Sequence, residues 1–144
     1  MKTSTLTAVL ALGLGSWWLA IPALNYNKGT SEGVTVEIVA QPFLDGNDLV
    51  YRWSGEVVRS CSVEIRREFV DSENVVTRLT SRTFGPQTPD GLGQATYEVS
   101  VPVPLQIADG PATYRATEVP KCNWMQRLFP VAIEYPPVEF IVSR

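Results

Sequence analysis

"LVYRWSGEVVRSCSVEIRREF", residues 49–69, decides the architecture, because two runs of alternating side chains meet across one short glycine-bearing break. In the first run Leu49, Tyr51 and Trp53 alternate with Val50 and Arg52, the period of two expected for a strand with one buried face. Beyond "SGE" a second run from about Val58 to Phe69 places Cys61, Val63 and Ile65 on one side and Ser62, Glu64 and Arg66 on the other. Arg66 and Arg67 read as solvent-facing charges on that strand, with Glu64 or Glu98 as cross-strand partners.

The same period extends outward in both directions. Upstream, Val34, Val36 and Ile38 share a face, and "LDGND" turns the chain into Leu49. Downstream, "DSEN" leads into a polar strand from Val75 to Thr83, followed by the loop "GPQTPDGLG", whose glycines and prolines rule out regular structure. Ala95, Tyr97, Val99 and Val101 form the next inward face. "ADGP" then turns into Ala112, Tyr114 and Ala116, and "PPVEFIVSR" aligns Val138, Phe140 and Val142. No segment after Lys28 carries helical periodicity. The expectation is an all-β chain: a single seven-stranded antiparallel sandwich domain over residues 34–144.

Residues 5–24 contain no charged side chain and match the length of a bilayer-crossing helix. Residues 1–24 are therefore expected to be a signal anchor or transmembrane helix, with Trp17 and Trp18 at the membrane interface. The polar, glycine-bearing stretch 25–33 reads as a flexible tether. Gly13-Leu14-Gly15 is the best small-x-small cleavage site, but the apolar run continues past it through Ile21. Lys2 favours a cytoplasmic N-terminus and an extracytoplasmic domain, periplasmic if the source is a Gram-negative bacterium or its phage. In an exported chain the two cysteines, Cys61 and Cys122, are most simply a disulfide; in the cytoplasm they would be buried free thiols.

Composition excludes several classes of function. The net charge of -3 gives no basic face for nucleic-acid phosphates, so no nucleic-acid partner is expected. Histidine is absent, which removes the commonest general base and transition-metal ligand, and two distant cysteines cannot make a zinc site. No metal, no cofactor and no enzymatic activity are expected. The carboxylate pairs Asp45 with Asp48, and Asp71 with Glu73, fall in turns, where acidic residues serve the backbone.

The order of these features resembles the fibronectin type III or immunoglobulin-like sandwich over residues 34–144, at the level of pattern. Trp53 on the second strand and Tyr114 after "ADGPAT", similar to a tyrosine corner, carry the likeness. Cys61 and Cys122 depart from the immunoglobulin pattern, which joins the second and sixth strands through the core. The resemblance implies that the third and sixth strands are antiparallel neighbours, which brings Cys61 near the start of one beside Cys122 at the end of the other. It also implies that the first strand starts at the same end as the loop between the last two.

That loop, from Cys122 to Pro137, is long for a compact domain and holds Trp124, Met125, Arg127, Leu128 and Phe129 in a stretch without periodicity. These residue types are enriched at recognition surfaces or bilayer interfaces, although folding back to cap the sandwich would use them equally well. The expected function is a membrane-anchored interaction or accessory module presenting residues 122–137 to a membrane-protein partner or to the bilayer. The alternatives are a secreted carbohydrate- or protein-binding module with a cleaved signal and, from another class, a carboxylate-dependent hydrolase.

Overall fold

The computed structural model describes residues 26–42, 48–87 and 91–143. The expected anchor 1–24, with Trp17 and Trp18, lies outside them, as does Asp45 in the first turn. Among the described residues no helix is long and apolar enough to cross a membrane.

The alternating runs become strands, in chain order β1 (Ser31–Ala40), β2 (Asp48–Val57), β3 (Ser62–Val70), β4 (Val76–Phe84), β5 (Gly93–Pro102), β6 (Gly110–Lys121), β7 (Ile133–Glu134) and β8 (Val138–Val142). They form a sandwich of two antiparallel sheets. One has the order β1-β2-β5; in the other β4, β3 and β6 are neighbours, and β7 and β8 both pair with the far side of β6. The described strands therefore number eight where seven were expected. Tyr135-Pro136-Pro137 interrupts the last one, because proline has no N–H to give the ladder.

The first strand also starts earlier than the pattern suggested. Ser31 and Glu32 already pair with Val57 and Glu56, and the ladder is interrupted before Thr35 meets Ser54. Gly33 lies in this irregularity with φ 61°, a left-handed conformation that glycine adopts without steric cost. Part of the expected tether is thus strand.

Residues 49, 51, 53, 55 and 57 of β2 all face inward and are buried. On β6 the inward set is Ala112, Tyr114, Ala116 and Glu118. The densest packing is at the end where Asp48 pairs with Pro102 and Gly110 with Val142. There Leu49, Phe69, Val101 and Ile107 are fully buried, and each contributes roughly 1.5–3 kcal/mol through burial. Phe69 meets the rings of Tyr114 and Phe140 at centroid distances of 5.2 and 5.8 Å.

Two sequence expectations fail on β3 and β6. Arg66 is exposed and pairs with Glu64 at 3.0 Å, but Arg67 shares the inner side with Ile65 and Phe69, opposite Ala116. The alternation that buries Phe69 necessarily turns Arg67 inward, where its Nη2 donates to the Thr80 carbonyl at 2.6 Å. Glu98 is the partner of Arg52 instead, at 2.9 Å. Tyr114, for its part, is not a tyrosine corner: its buried hydroxyl has no hydrogen-bond partner, whereas such a corner needs that bond to the backbone.

Candidate functional site: the connection after Cys122

Ser62 pairs with Lys121 in the β3–β6 ladder, so one step further the same register sets Cys61 opposite Cys122. The two are bonded, with Cα atoms 4.8 Å apart. This pair closes the base of the connection that follows.

Residues 122–132 are not an irregular loop. Trp124–Leu128 form one turn of helix, α1, capped by Asn123, whose side chain accepts from the Gln126 amide at 2.9 Å. The Phe129 amide closes the turn on the Met125 carbonyl at 2.7 Å. The signal was present as a cap residue followed three positions later by glutamine, with Pro130 as a stop. One turn is too short to display an apolar period, so pattern reading passes over it.

Gln126 organises the site and escaped sequence reading. Its side chain is fully buried. Its Oε1 accepts from the Cys122 amide at 3.0 Å, while Nε2 donates to the carbonyls of Tyr26 at 2.9 Å and Lys28 at 3.2 Å. The Tyr26 hydroxyl in turn donates to the Phe129 carbonyl at 2.9 Å. Residues 26–30, expected to be a free tether, are therefore fastened to the connection.

A second buried polar group extends the attachment. Glu118 Oε1 accepts from the Thr30 amide at 2.5 Å and the Thr30 hydroxyl at 2.7 Å, and Oε2 accepts from the Tyr135 hydroxyl at 2.8 Å. Burial first, then the Glu118 carboxylate, pushes the Tyr135 hydroxyl far above the usual tyrosine range, so it remains a donor. Gly29 passes so close that an added Cβ would lie 3.1 Å from Ile133 Cδ1 and 3.3 Å from Glu118 Oε1. A side chain there would have to push Ile133 or the Glu118 carboxylate aside by a few tenths of an ångström, so glycine suits this close approach.

The apolar side chains of α1 point away from this network. Trp124 is 47% exposed, Leu128 66% and Phe129 61%, beside exposed Arg127; Met125 is half-buried. The helix turn thus buries its glutamine and displays its large apolar residues, the reverse of a core element. The acidic residues considered for catalysis are differently placed. Asp48 takes a hydrogen bond from Ser100, and Asp71 gives both oxygens to backbone amides of residues 73, 75 and 108. No protein-family model and no curated protein matches this chain, so its function is argued from this geometry.

Proposed function

We propose that the chain is a membrane-anchored extracytoplasmic interaction module of fibronectin type III-like build, which holds the α1 turn against the bilayer interface or the membrane-embedded part of a partner protein. The β1-β2-β5 and β4-β3-β6-β8 order supports that build. One observation carries the functional reading. Tyr26, two positions beyond the apolar run 5–24, is hydrogen-bonded to the connection that exposes Trp124, Leu128 and Phe129. An apolar display tied so closely to the end of a candidate anchor meets the membrane rather than bulk water. Trp124 and Phe129 supply interfacial aromatic surface, and Arg127 supplies a charge for lipid phosphate or a partner carboxylate.

The test is photo-crosslinking from position 128 in membranes that contain the full-length chain, with position 139 on the outer face of β8 as control. Crosslinks to lipid or to one membrane protein from 128 but not from 139 are expected. Adducts absent at 128, or equal at both positions, defeat the reading.

A further inference from the structure

The half of the sandwich nearest the disulfide is not filled. Between the sheets lies a cavity of about 510 Å³, walled by Trp53, Val63, Ile65, Tyr97 and Val99. That volume falls within the range of roughly 300–1,000 Å³ typical of small-molecule sites. The guanidinium-bearing residues Arg67 and Arg82 also line it, and the carboxylate among its lining residues, Glu98, is already bound to Arg52. A chain of net charge -3 has therefore gathered positive charge around an apolar hollow.

Two buried polar atoms in that lining lack a well-formed hydrogen bond: Arg67 Nε and the hydroxyl of Tyr114, a residue only 1% exposed, whose polar neighbours are Tyr51 and Arg67 itself. Leaving a buried donor unmatched is costly, and such groups in a native structure call for a ligand or a bridging molecule. Tyr51 lies beside them, its ring 5.5 Å from that of Tyr114. Burial raises both hydroxyls above the usual tyrosine range, with the Arg67 charge acting on each in the opposite direction, so both remain O–H donors at neutral pH.

We propose that this cavity binds a monoanionic amphiphile, a carboxylate with a slim apolar chain, whose head takes hydrogen bonds from Arg67 and Tyr114 and whose chain lies along Trp53, Ile65 and Val99. A guanidinium with an open N–H favours a carboxylate over a neutral head. Apolar walls then select for the chain. This site is separate from the α1 display and does not depend on the interaction reading.

Titration calorimetry of the full-length chain with sodium octanoate, below its micellar concentration, tests the proposal. Arg67→Met is titrated in parallel so that uptake by the apolar N-terminal segment cancels. One saturable site is expected, weakened about tenfold or more in Arg67→Met and for 1-octanol in place of octanoate. Val63→Trp, which narrows the cavity from its wall, abolishes binding, whereas Trp124→Ser leaves it unchanged. The proposal is overturned by the absence of a saturable site, by equal binding of octanol, by wild-type affinity in Val63→Trp, or by loss of binding in Trp124→Ser. The octanol comparison needs no variant and stands even where a substitution prevents folding.

Discussion

The two ends of this sandwich are held by different physics. At the end formed by the β3–β4 turn and the start of β6, apolar side chains interlock: Phe69 packs at tilted and edge-on angles against Tyr114 and Phe140, and Leu49, Val101 and Ile107 are sealed from water. Its one buried carboxylate, Asp71, serves backbone amides in a turn completed by Asn74 at φ 62°. At the other end the sheets leave a half-open cavity between them, and cohesion comes from the Cys61–Cys122 bond and from Glu118 and Gln126 reaching across to residues 26–30. Close packing makes a rigid end, while discrete polar and covalent ties hold an end together without filling it. Space for a ligand is compatible only with the second arrangement.

The contrast can be broken most severely at the packed end. Phe69→Ala should cost about 3–5 kcal/mol in denaturant unfolding, since no neighbour can collapse into the space between Tyr114 and Phe140. Replacing both cysteines by serine should cost about 4 kcal/mol in the chain-entropy model for a 61-residue separation. If the open end is held as described, hydrogen exchange in that double variant should accelerate around residues 26–30 and 122–130 while Phe69 and its neighbours stay protected.

Gln126→Ala strands the Cys122 amide and two carbonyls, and should cost about 2 kcal/mol while freeing residues 26–28, which limited proteolysis would detect. Unchanged proteolysis would mean that Glu118 alone suffices.

A smaller effect is expected at Asp71 as pH falls. Backbone amides, that of Val75 first, hold its folded-state pKa below the usual carboxylate range against the opposing effect of burial. The stabilisation is complete above the unfolded carboxylate pKa and is lost as pH drops through the folded one. Asp71→Asn should flatten the acid limb of the melting-temperature profile. Smallest of all, Trp124→Ser should change stability by less than about 0.5 kcal/mol, as for exposed positions generally, while reducing crosslinking from position 128.

Much of this was legible in advance. The alternation of Leu49, Tyr51 and Trp53, and of Val138, Phe140 and Val142, is a local property of a chain with one buried face, and it yielded the strands and the all-β class. The apolar composition of residues 124–129 was equally plain. Gln126 and Glu118 were not, because their importance lies in carbonyls and hydroxyls on segments 98 and 88 residues away in the chain. Arg67 was misread for a related reason: its charge argued for solvent, while the register that buries Phe69 turned it inward. Proline at 136 and 137 announced a break in the last strand, yet whether the chain resumed pairing with β6 depended on the neighbour.

By itself, then, the sequence determined the strand periods and the all-β class, since each depends on residues close together in the chain, whereas "SGE", read as a break, lies within β2 because Ser54, Gly55 and Glu56 all pair with β5. Tertiary structure alone decided that one half of the sandwich is full and the other hollow, that residues 26–30 are bound rather than free, and that Arg67 and Tyr114 share an interior. The physical reason is that volume, burial and hydrogen-bond satisfaction are properties of facing elements, and no local pattern specifies how closely two sheets approach.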